Sequence, residues 1–108
     1  MKRLIPILLL LFAGNVFAGN AELGSLSKIH FMSDGVIIVY TNGTRSGAPT
    51  CATHTSRFAI DGTTEGGKVQ VSGILTMYAS GKSIKIYGAN NCNAYGDTET
   101  ISYFRTDD

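Results

Sequence analysis

The chain has 108 residues, with nine Lys or Arg against eight Asp or Glu, 13 Gly, two Cys and no Trp. That length holds one domain, and the scattered, nearly balanced charge excludes the basic footprint of a nucleic-acid-binding protein. Abundant Gly, Ser, Thr and Asn beside 44% hydrophobic residues fit a compact, turn-rich β domain and exclude a disordered tail.

Lys2 and Arg3 make a positive start, residues 4–12 are apolar apart from Pro6, and Val16-Phe17-Ala18 puts small residues three and one before a cut. That layout predicts a secretory signal peptide over residues 1–18, cleaved after Ala18. The alternative is a membrane anchor, which needs roughly 20 apolar residues, more than this run supplies. The mature chain is then residues 19–108, a single exported domain of 90 residues, periplasmic or secreted. Without Lys2 and Arg3 it carries seven basic and eight acidic side chains, a formal charge of −1, and it contains no second apolar run of spanning length.

Residues 19–25 read as a polar, loosely held lead-in. Residues 26–32 alternate as a first strand, Ser33-Asp34-Gly35 is a turn signal, and residues 36–40 are β-branched and aromatic. Together they predict a β-hairpin. Residues 41–49 form a loop, and Arg57-Phe58-Ala59-Ile60 a third strand. Asp61, Thr63 and Thr64 then offer helix caps, with Glu65 in the first turn. Val71, Ile74, Leu75 and Tyr78 follow at helical spacing, and Gly81 supplies the stop. Gly73 costs the helix interior up to about 1 kcal/mol against Ala, which close packing on a sheet would justify. Residues 83–87 return to period two, with Ile84 and Ile86 inward. Residues 88–97 are a loop carrying Cys92, and residues 98–104 a last strand with Glu99, Ile101 and Tyr103 on one parity.

Strand, strand, strand, helix, strand, strand predicts an α+β domain. Its core is a small, curved, mostly antiparallel five-stranded sheet or OB-like barrel, with one helix between strands three and four. Cys51 and Cys92 allow one intramolecular disulfide in an oxidising compartment. Closing a loop of roughly 40 residues stabilises so small a domain by about 4 kcal/mol. The alternatives are a bridge between chains or two free thiols.

Four constellations carry candidate chemistry. Cys51-Ala-Thr-His54 pairs a thiol with an imidazole, but a nucleophilic thiolate must be free and zinc takes three or four ligands, where only His30 and His54 exist. No metal or cofactor is expected. Asp61-Gly-Thr-Thr-Glu65 lacks the ligand density of a calcium loop, and a turn with a helix cap accounts for it. Glu99, in an apolar strand, is a general acid/base candidate, or else one half of an ion pair for which Arg57 is a candidate partner. Finally, Tyr87 and Tyr95 flank the Cys92 loop, with Asn90, Asn91 and Asn93 between them. Flat apolar faces beside amides are the chemistry that binds sugars, and they are also ordinary loop residues.

Arg57-Phe58-Ala59-Ile60-Asp61, then Tyr78-Ala79-Ser80-Gly81-Lys82, then Ile84-Lys85-Ile86-Tyr87-Gly88 and Cys92 resemble stretches of small exported bacterial proteins. More distantly, the chain is similar to the binding subunits of subtilase-cytotoxin-like and typhoid-toxin-like assemblies. The resemblance implies an OB-like barrel, a pentameric ring and glycan recognition without catalysis, with Ser33 matching a serine that contacts the sugar. The first expectation is therefore a non-enzymatic, exported binding module for a glycan or a surface protein. The alternatives are a periplasmic interaction or inhibitor protein and a small hydrolase using Glu99 or Asp97.

Overall fold

A computed structural model describes residues 18–106. The expected leader lies outside them except for Ala18. The elements are β1 (Asn20–Gly24), β2 (Leu26–Phe31), β3 (Val36–Thr41), β4 (Arg45–Ser46), β5 (Arg57–Asp61), α1 (Glu65–Ser80), β6 (Ile84–Gly88) and β7 (Ile101–Arg105). They form two sheets, one ordered β4-β1-β6-β7 and one ordered β2-β3-β5, and every strand pair within them is antiparallel. A parallel bridge between Ala59 and Thr100 links the sheets. Among the described residues the chain is α+β with one helix, as expected, but the strands number seven in two sheets rather than five in one.

The two extra strands come from segments read as loop. β1 has one inward apolar side chain, Ala21, so periodicity does not announce it. It is held by pairing on both sides, with β4 and β6. The 19–25 segment is therefore built into the sheet rather than loosely attached.

The hairpin is local chemistry. Asp34 Oδ1 accepts from the Val36 N–H at 3.1 Å, and Gly35 takes a φ of 91° that glycine adopts freely. β3 is an unbroken apolar run because it is buried on both faces. Ile37 and Val39 join Phe58, Ile60, Ile74, Ile84 and Ile86 in the main core, while Val36 and Ile38 pack with Ala59, Tyr40, Ala94 and Tyr95.

Thr64 caps α1 by accepting from the Gly67 N–H at 2.9 Å, and Gly81 closes it at φ 69°. The helix faces the core with Gly67, Val71, Ile74 and Met77; Leu75 and Tyr78, expected inward, are exposed. Gly73 packs against Phe104 of β7. A Cβ there would come within 2.9 Å of the Phe104 ring, so helix backbone and β7 meet at van der Waals contact. No helix among the described residues is long and apolar enough to cross a membrane.

Cys51 and Cys92 are disulfide-bonded, 41 residues apart, tying the approach to β5 to the loop after β6. That loop, residues 89–100, covers the outer side of β3 and β5 and delivers both Asp97 and Glu99.

Candidate functional site

Two polar centres and one aromatic surface are assembled around this loop. In β6, Ile84 and Ile86 point to the core, so Lys85 and Tyr87 point outward. The register sets Tyr87 beside Asn20 of β1 and opposite Tyr103 of β7. The two tyrosine rings stack, with centroids 4.6 Å apart and planes 10° from parallel. Arg105 holds its guanidinium 5.5 Å from the Tyr87 ring, and Lys85 pairs with Glu22 at 3.3 Å. Tyr103 keeps half of its surface open to solvent. The shared parity of Glu99, Ile101 and Tyr103 does not hold. An irregularity between Tyr87 and Gly88 shifts the register, so Ile101 and Phe104 face the core and Tyr103 faces out.

Glu99 is fully buried and bonded on every side. Its Oε1 pairs with Arg45 Nη2, while its Oε2 accepts from the N–H groups of Asn90 at 2.9 Å and Gly19 at 3.2 Å. Gly88 makes the room, since a Cβ there would overlap the carboxylate. Arg45, not Arg57, is therefore the partner. Arg45 lies 4.1 Å over the Phe58 ring and also donates to the carbonyls of Gly47 at 2.9 Å and Thr55 at 3.1 Å. Burial pulls the basicity of Arg45 down, and the Glu99 charge opposes that.

Arg57 belongs to the other centre. It donates to the Tyr40 hydroxyl at 2.8 Å, to Thr98 Oγ1 at 2.9 Å and to Asp97 Oδ1 at 2.9 Å. Burial alone would lower its pKa, but the Tyr40 and Asp97 hydrogen bonds outweigh that and raise it. The Asp97 carboxyl is held below its ordinary value, first by the Thr98 hydroxyl, with Arg57 and His54 adding to it against the opposing cost of desolvation. His54 Nδ1 stands 3.3 Å from Asp97 Oδ2. A carboxylate beside an imidazole is two parts of a nucleophilic triad. The hydroxyl that meets this ring, Thr53 Oγ1, also sits by Nδ1, at 3.4 Å, and not by Nε2 where a nucleophile belongs.

The remaining residues singled out in the sequence are spread more widely. Asn90, at a φ of 64°, spends its N–H on Glu99; Asn91 Oδ1 accepts from the Asn93 N–H at 2.9 Å in a local turn. The Asn90 backbone N–H and the Asn91 side chain thus shape the loop, and of the three asparagines Asn90 and Asn93 are exposed. Tyr95 is half-buried against Ala59 and its neighbours, with Arg57 5.8 Å from its ring. Ser33 is exposed in the turn between β2 and β3, away from the strands that carry Tyr87 and Tyr103. Asp61 acts as the turn residue it was read to be, accepting from the Thr63 N–H at 3.0 Å and hydroxyl at 2.6 Å, which lowers its pKa. No cluster of three His, Cys, Asp or Glu gathers among the described residues.

Comparison with known proteins returns no match, whether to a family model, a curated protein or a solved structure.

Sequence reasoning missed Arg45 and the Tyr87–Tyr103 pair. Arg45 sits 54 residues from Glu99 in a glycine-rich loop, with no local pattern to flag it. Tyr103 was legible only through its register against β6, which the irregularity at Gly88 determines.

Proposed function

We propose that the chain is an exported, non-enzymatic binding module on an opened OB-like barrel, and that its ligand is a glycan taken up on the outer face around Tyr87 and Tyr103. The observation that carries the reading is the stacked tyrosine pair, half exposed at Tyr103 and flanked by Asn20, Lys85 and Arg105. A flat aromatic face with polar side chains at its rim suits a sugar ring, whose C–H edge stacks while its hydroxyls hydrogen-bond. The barrel reading is supported by β1 running into β2 through Ser25, by the Ala59–Thr100 bridge on the opposite side, and by the helical crossover between β5 and β6. Export is supported by the leader pattern and by a cystine, which an oxidising compartment maintains. Glu99, the acid of the hydrolase alternative, has both oxygens engaged in a buried network, as a structural carboxylate does.

The test is a glycan array probed with the mature protein, followed by titration of any hit. Tyr103→Ala is expected to weaken binding about tenfold, the worth of one stacked aromatic face, with folding unchanged. Ser33→Ala reports whether the β2–β3 turn joins the site, as the toxin-subunit resemblance implies. Sedimentation of the same sample measures assembly, for which that resemblance implies five copies. An array without hits, together with stoichiometric capture of a protein partner, would replace this reading with docking at edge strand β2, where Phe31 is 62% exposed.

A further inference from the structure

We propose that Glu99 is the docking site of the mature N-terminus, where the α-ammonium released at Gly19 by leader removal ion-pairs with the buried carboxylate. Ala18 is exposed and Gly19 is buried, so the chain enters the protein at the bond the leader pattern marks for cleavage. The Gly19 nitrogen already points at Glu99 Oε2, 3.2 Å away in a buried setting. Its carbonyl is pinned by the Gly88 N–H at 2.8 Å. The slot also selects its occupant. A Cβ at position 19 would overlap the Gly47 carbonyl and stand 3.0 Å from Arg45 Nη2, so only glycine fits.

The chemistry is a hydrolysis by an endopeptidase that reads small residues at positions 16 and 18. Water breaks the Ala18–Gly19 bond, its hydroxyl completing the Ala18 carboxylate and its hydrogen going to the Gly19 nitrogen. The new amine takes a further proton at neutral pH, its ordinary pKa being about 7.7–8.0. A neutral amide donor thereby becomes a cation facing a carboxylate, which strengthens the hydrogen bond. Two charged groups face it: Glu99, which holds it, and Arg45, which opposes it. The Arg45 charge is shared with the Gly47 and Thr55 carbonyls and the Phe58 ring.

Leader removal and disulfide closure, the two events that follow export, then act on one loop, since Cys92 and Glu99 both lie in it. The precursor has only the neutral amide bond at Glu99, and the processed chain replaces it with the ion pair. This inference rests on the leader reading and is independent of the ligand.

The full precursor is exported from a bacterial host, and the intact mass of the product is measured, followed by unfolding of the purified chain between pH 6 and 10. A mass of residues 19–108 is expected. Selective acetylation of its α-amine should raise the unfolding constant about tenfold at pH 6.5, as loss of one charge-assisted hydrogen bond would. The ion pair raises the amine's folded pKa above its unfolded one. Its contribution is therefore complete below about pH 7.7 and disappears as pH rises through the folded value, so the two forms should converge near pH 10. In Glu99→Gln acetylation should change nothing; should that variant not fold, the chain extended by Ala18 must behave like the acetylated one. A mature chain starting elsewhere, or acetylated and free forms of equal stability at every pH, would overturn the proposal.

Discussion

Arg45 and Arg57 solve the same problem in two ways. Each is nearly enclosed, each lies near aromatic rings, and each pairs with a carboxylate from the 97–99 stretch. Glu99 is wholly buried, whereas the Asp97 side chain is 42% exposed. The inner pair has no water to fall back on, so every lone pair must find a protein donor, and Gly19, Asn90 and Arg45 supply them. The outer pair shares its charge with Tyr40, Thr98, His54 and solvent. The inner centre therefore specifies one arrangement of β1, β4 and the 89–100 loop. The outer one adjusts stability without dictating the fold.

The largest effect should come from breaking the inner pair. Glu99→Ala strands Arg45 without its counter-ion and removes the acceptor from the Gly19 and Asn90 N–H groups. A loss of about 3–5 kcal/mol is expected from denaturant unfolding, enough to unfold a marginal domain. A loss below about 1 kcal/mol would mean that water reaches this centre and that the contrast with Asp97 is false.

Cutting the covalent tie comes next, because it supports both centres at once. Cys51→Ser/Cys92→Ser frees the loop that delivers Asp97 and Glu99, and about 2–4 kcal/mol should be lost. Hydrogen exchange should report greater opening around Thr98 and Thr100, whose N–H groups bond within this loop, than in α1. Equal acceleration everywhere would show that the cystine acts only on the unfolded chain.

What the sequence disclosed follows the same division between local and distant. The hairpin at Asp34-Gly35 and the caps at Thr64 and Gly81 are set by residues next to the structures they make, and all were legible. The cystine was legible because two cysteines leave one internal pairing. β1 was not, because a segment with Ala21 as its only inward side chain owes its strand to partners far along the chain. Glu99 was marked as unusual but assigned to the wrong arginine: Arg57 lies in a clear strand, while Arg45 lies in a two-residue strand within a loop. The Tyr87–Tyr103 stack depended on a register irregularity that alternation alone cannot foresee.

The smallest effect isolates the outer centre by pH. Asp97 has its folded pKa depressed by the Thr98 hydroxyl, Arg57 and His54. A depressed acid contributes stability above its unfolded pKa, about 3.9, and loses it as pH falls through the folded value. Asp97→Asn removes that contribution, so wild type should be the more stable at pH 6 and the two should converge once pH has fallen through the folded value. Asn keeps an acceptor for Arg57, which confines the difference to the charge. Because Asp97 faces solvent, high salt should shrink the gap at pH 6. A gap insensitive to both pH and salt would show that Asp97 acts through shape alone, and the two arginine centres would then differ in position but not in kind.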